Sequence, residues 1–153
     1  MWISVMSACV ALFTAPVNGI VVRSFEQPTC TYCAGHRGVS VAVVEGAPVR
    51  AIADGTITFA GEVAGNVFVV LQFASDLRLT YGYLKDAIGD QGSEVATGDV
   101  VTRGAVLGHS ARRVYLGVRR GHLPVNPLPF VSAKRARLVA PSSPACGNRR
   151  SSR

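Results

Sequence analysis

From Pro16 onward no apolar run of this 153-residue chain holds a 3.6-residue period, and that absence limits the fold more than any other feature. Apolar side chains alternate instead over short stretches: Gly19 to Arg23, then 39–44, 49–53, 56–60, 67–73, 78–83, 100–101, 105–107 and 113–118. Valine-rich runs of this length, separated by glycine-bearing turns, read as strands. Their spacing predicts an all-β domain, a compact antiparallel sandwich or barrel. Residues 35–61, GHRGVSVAVVEGAPVRAIADGTITFAG, hold the densest part of the pattern, with turn signals at Glu45-Gly46-Ala47-Pro48 and Asp54-Gly55. His36 stands just before the first of those strands, as a candidate metal ligand in need of partners.

The length suits one domain with a proper apolar core, flanked by two segments of different character. Residues 1–15, MWISVMSACVALFTA, are apolar and too few to span a bilayer. They suit the apolar region of a truncated signal peptide, although no Lys or Arg precedes them and Pro16 disfavours cleavage after Ala15. A buried first strand is the alternative; the expectation is an exported protein of the cell envelope or the extracellular space. Residues 16–131 form the β domain. Residues 132–153 form a basic Pro/Ser/Arg-rich tail expected to be disordered.

Charge divides the chain sharply. Residues 1–99 carry five Lys/Arg and all nine Asp/Glu, whereas residues 100–153 carry eleven Lys/Arg and no acid. A cationic C-terminal third suits an anionic partner such as nucleic acid, anionic lipid or cell-wall polymer, or serves only as solubilising charge. Nucleic acid is disfavoured, because the arginines are not interleaved with stacking aromatics. Of the four cysteines, Cys9 and Cys146 lie in the flanking segments, which leaves Cys30-Thr-Tyr-Cys33 as the close pair.

PVNGIVVRSF from Pro16, GHRGVSVA, GAPVRAIADGTITFAG, LTYGYL, TGDVVTRGAVLG, VYLGVRRG and NPLPF follow one another along residues 16–131. In order and spacing these blocks resemble a lysostaphin/LytM-type zinc metallopeptidase domain, with actinobacterial members the most similar. The resemblance implies peptidoglycan endopeptidase chemistry. Active members hold zinc with a histidine, an aspartate four residues on, and the second histidine of a late His-x-His pair. The first histidine of that pair and one following a Tyr-Gly act in catalysis. Here only His36 is kept: Ser40 stands at the aspartate position, Tyr83 follows Tyr81-Gly82, and Arg113 and Tyr115 replace the His-x-His pair.

Catalytic zinc requires three protein ligands and an open position for water. Ser40 offers a neutral hydroxyl, Tyr115 a phenol protonated near neutral pH, and Arg113 a permanent positive charge beside the cation's place. Neither Tyr83 nor Arg113 titrates where a general base works. No catalytic residue is intact, and the expectation is a pseudoenzyme without cofactor that binds peptidoglycan or another anionic wall polymer, or regulates a partner wall hydrolase. The alternative is an active metalloendopeptidase with a non-standard zinc site.

Strand alternation places Arg113, Tyr115, Gly117 and Arg119 on one face and Val114, Leu116 and Val118 toward the core. His36, Tyr83, Arg113, Tyr115 and Arg119 are therefore the expected groove, with arginine for a carboxylate and tyrosine rings for a sugar or peptide. A surface that has lost its ligand is the bland reading. Cys30-x-x-Cys33-x-x-His36 has the spacing of a relocated metal site, and the same cysteines suit a disulfide in an exported protein. His109 and His122, beside Gly108 and Gly121, match no family ligand position and read as exposed loop histidines.

Overall fold

The computed structural model describes residues 15–131; the expectations for residues 1–14 and 132–153 lie outside the described residues. Nine strands follow in chain order: β1 (Gly19–Arg23), β2 (Val39–Val43), β3 (Pro48–Arg50), β4 (Gly55–Val63), β5 (Asn66–Gln72), β6 (Leu77–Asp86), β7 (Val100–Val101), β8 (Val106–Arg120) and β9 (Leu123–Val125). All belong to one sheet in the order β1-β2-β8-β6-β5-β4-β7, with β3 and β9 added along β8. Every strand pairing is antiparallel, so the all-β reading of the alternating valine runs holds.

Strand β8 is the axis of the domain, pairing with β2, β3, β6 and β9 along its 15 residues. The sequence pattern breaks this strand at Gly108, where the glycine reads as a turn. In the structure Gly108 lies inside the strand, and a Cβ there would meet the Asp86 carbonyl oxygen at 2.2 Å. Glycine is needed at this point for close approach of two backbones. True turns lie on either side of β7, where Gly98 and Gly104 take φ of 98° and 88° and carry the chain along the β4 edge.

The core follows from the alternation. Val39 and Val41 of β2, Val69 and Leu71 of β5, Leu79 and Tyr81 of β6, and Val114, Leu116 and Val118 of β8 are buried, joined by Val49, Ile52, Ile57 and Leu107. Full burial of each such aliphatic side chain stabilises by roughly 1.5–3 kcal/mol. Tyr81 brings a hydroxyl into this core, and the Ile52 N–H donates to it at 3.1 Å, so its polar atom is satisfied. Ser110 is also fully buried: its hydroxyl donates to the Val44 carbonyl at 2.7 Å and accepts the Ala47 N–H at 3.0 Å. These two bonds tie the Glu45–Pro48 turn to β8.

Two local expectations are corrected. His109 is not in a loop: it lies in β8, half-buried, with Nδ1 2.8 Å from Asp86 Oδ1. The segment Asn126–Phe130, whose two prolines each bias the preceding residue toward extended backbone and so predict an extended closing segment, closes into one helical turn, α1 (Leu128–Val131). Asn126 Oδ1 accepts the Leu128 N–H at 3.0 Å, and the Pro127 carbonyl accepts the N–H groups of Phe130 and Val131. The prolines fall where a first helical turn needs no N–H, so the side-chain cap overrides the extended bias.

Candidate functional site

The candidate site lies on the face of β2, β6 and β8 opposite the core. Register brings its residues together: Ser40 of β2 and Gly82 of β6 both pair with Tyr115 of β8. Alternation then turns Tyr115 away from Val114 and Leu116, which are buried beneath it. His36 enters from the loop before β2, held by an isolated bridge in which Glu26 and His36 exchange backbone hydrogen bonds of 2.9 and 3.0 Å.

The His36 ring is oriented from both sides. Its Nδ1–H donates to the Ser24 carbonyl at 2.9 Å, which leaves the Nε2 lone pair facing Ser40 Oγ at 3.4 Å. A backbone carbonyl that fixes the tautomer is how metal-ligating imidazoles are commonly aimed. Here the aimed nitrogen meets a hydroxyl, and Ser40 is only 3% exposed.

Tyr115 fills the middle of the face. Its ring lies edge-on to His36, centroids 5.8 Å apart, and edge-on to Tyr83 at 6.4 Å, while Tyr83 in turn packs against Phe68 at 5.7 Å. Two glycines make room for it. A Cβ on Gly117 would meet the Tyr115 hydroxyl oxygen at 2.7 Å, and one on Gly38 would meet the ring at 2.6 Å. The phenol thus lies along β8 over Gly117 and across toward Gly38. Tyr83 adopts φ of 60°, beside an irregularity in the β6–β8 register between Gly82 and Leu84. A bulge of this kind re-aims a side chain, here bringing a non-glycine residue into the left-handed region beside the Tyr115 ring.

Burial pushes the Tyr115 phenol above its ordinary value; the positive charge of Arg119 opposes this, Tyr83 adds to it and Arg37 opposes it, with a net rise. The phenol is therefore protonated at neutral pH and offers a hydroxyl, not a phenolate. Among the described residues no three His, Cys, Asp or Glu side chains come together as a metal-binding group. The donors that the family resemblance aligns with a zinc site are one imidazole, one buried hydroxyl and one protonated phenol, a set that does not fit a catalytic zinc ion.

Other expected residues take different places. Arg113 pairs in register with Ala42 and is exposed, its guanidinium without a hydrogen bond or ion pair among the described residues. Arg119 is exposed near the end of β8 and acts on Tyr115 through its charge. Cys30 and Cys33 form a disulfide, one of the two readings of their spacing, and sulfurs so bonded offer no thiolate to a metal. Phe68, Arg37, Gly38 and Gly117 belong to the arrangement but were not singled out by sequence reasoning. Gly117 was legible as the one residue without a side chain on the groove face of β8; Phe68 and Arg37 carried no comparable signal.

Residues 34–127 match the model of peptidase family M23, a span from the residues before His36 to the end of the sheet. A Mycobacterium tuberculosis protein of uncharacterised function is 41% identical over 61 residues, covering 40% of this chain and 24% of that protein. The murein hydrolase activator EnvC of Escherichia coli is 31% identical over 97 residues, covering 62% of this chain and 23% of EnvC. The chain thus spans about a quarter of the length of these relatives. Helicobacter pylori Csd3 superposes with a TM-score of 0.66 at 24% identity, over 84% of this chain and 37% of Csd3, a likeness of fold. With the strand order, the placement of His36 and the span of the match in agreement, the chain belongs to peptidase family M23 and carries a LytM-type domain.

Proposed function

We infer that this domain is a non-hydrolytic member of its family, which acts in the cell envelope by binding the wall or regulating a partner wall hydrolase. The observation that carries the reading is the ring of Tyr115, lodged between Gly38 and Gly117, at the position that the resemblance aligns with a zinc ligand. A protonated phenol there supplies neither an imidazole nor an anionic donor, and Ser40 supplies no charge to offset a divalent cation. The scaffold around the lost site is intact, with His36 still oriented by the Ser24 carbonyl. A family scaffold with an altered donor set supports recognition in place of cleavage.

Similarity to EnvC, a murein hydrolase activator, supports the regulatory half of the reading. The partner would be a wall hydrolase that supplies the bond cleavage this groove does not. The basic C-terminal third supports the wall-binding half, through attraction to an anionic polymer. Two measurements test the proposal. Full-length protein incubated with purified sacculi at low salt sediments with them, and releases no soluble muropeptides with or without added zinc. Protein left in the supernatant at low salt contradicts wall binding, and zinc-dependent release contradicts the loss of hydrolysis.

A further inference from the structure

A concavity beside the Tyr115 face has none of His36, Ser40, Tyr83 or Tyr115 in its lining. It is a cleft of about 410 Å³ between the loop that carries the Cys30–Cys33 disulfide and the β8–β9 hairpin. Arg37, Arg119 and His122 line it, with Pro28, Leu123 and Pro124 as apolar walls. No Asp or Glu contributes to its lining.

The charges here are uncompensated. Arg112 and Arg120, neighbours on the same strand, meet Glu45 and Asp76 at 3.6 and 3.4 Å. Arg37 and Arg119 make no ion pair among the described residues. Arg37 is nonetheless positioned, because its Nη2 donates to the Thr31 carbonyl inside the disulfide-closed loop at 2.5 Å. Both guanidinium groups act on Tyr115, where their fields oppose the effect of burial. Two arginines thus line one cleft, and neither is paired with a carboxylate among the described residues.

We propose that this cleft is a recognition site for a carboxylate at the end of a short aliphatic chain, such as the C-terminus of a peptide. A guanidinium fork matches the two oxygens of a carboxylate, and a second arginine and an imidazole add donors around the same anion. The apolar walls select among anions. Leu123 is 69% exposed and stands beside Pro124, a surface that an aliphatic skeleton covers and a bare inorganic anion does not. The disulfide keeps the Thr31 carbonyl in place for Arg37, so the oxidised loop is part of the site. This deepens the wall-binding reading and rests on it only for the source of the ligand.

The test is a titration of the full chain with N-acetyl-alanyl-alanine, followed by amide and side-chain NMR shifts. The expected result is saturable binding with shifts at Arg37, Arg119 and His122, weakened at least tenfold when the C-terminal amide replaces the acid. Arg37→Gln and Arg119→Gln each weaken it at least tenfold, Arg119→Lys less so, and reduction of the disulfide weakens it as well. Urea unfolding of the arginine variants at the wild-type midpoint shows that the loss is local. Equal binding of acid and amide, no saturation, or tighter arginine-dependent binding of inorganic phosphate overturns the proposal. Sedimentation with sacculi distinguishes the two claims: if it persists in Arg37→Gln/Arg119→Gln while wild-type dipeptide binding fails, the cleft is wrong and the wall-binding role stands.

Discussion

Replacing Gly117 with alanine probes the packing on which the whole account rests. The added Cβ would lie 2.7, 2.9 and 3.0 Å from the Oη, Cε1 and Cζ atoms of Tyr115, and no other neighbour approaches as closely. Only the ring can relieve the clash. To move, it must give up its edge contacts with His36 and Tyr83, each worth about 0.5–1.5 kcal/mol. Gly117→Ala therefore costs about 1–3 kcal/mol, within the usual range for overpacking. In a Tyr115→Ala background the obstacle is gone, and the same substitution costs less than about 0.5 kcal/mol.

Gly38→Ala is the control. Its Cβ would meet the Leu116 carbonyl oxygen at 2.4 Å as well as the Tyr115 ring at 2.6 Å, and backbone cannot swing aside. Its cost persists in both backgrounds. Urea unfolding at constant m reads the difference, since about 2 kcal/mol moves the midpoint by roughly 1 M for a domain of this size. A Gly117→Ala penalty unchanged by removal of the ring would refute the placement of Tyr115.

Three further outcomes follow from the buried and charged groups. Tyr81→Phe orphans the buried Ile52 N–H and destabilises by about 1–3 kcal/mol in the same unfolding assay, with little change in volume. Burial pushes the Asp86 carboxyl up, but hydrogen bonds from the His109 ring and from the Ile88 and His109 backbone N–H groups hold it below its ordinary value. Its stabilisation is then present above the unfolded value of about 3.9 and is lost as pH falls through the lower folded one, so the stability gap between wild type and Asp86→Asn narrows in acid. Tyr115 ionises above the ordinary tyrosine value in an NMR or absorbance titration; Arg119→Gln raises it further and Tyr83→Phe lowers it.

Much of the fold was legible because strand alternation is a local signal. The runs at 19–23 and 100–101 match their strands, and the inward side of β8 follows from Val114, Leu116 and Val118. What local pattern could not supply was long-range context. Gly108 reads as a turn unless the Asp86 carbonyl on β6 is known to press against it, and Asn126 reads as coil unless its cap on Leu128 is seen. For the site, the identities at positions 40, 83, 113 and 115 announced an altered donor set. That the Tyr115 ring is seated on two glycines, and that Arg37 faces the same cleft as Arg119, depends on register and on a loop, and neither leaves a periodic trace.

The central claim is that the family zinc position has been exchanged for packing, and a zinc titration of chelator-stripped protein tests it most directly. Wild type is predicted to take up no stoichiometric zinc, whereas Ser40→Asp combined with Tyr115→His, which completes a three-ligand set with His36, takes up one equivalent. One equivalent of zinc bound by the wild-type domain, accompanied by muropeptide release from sacculi, would contradict the account.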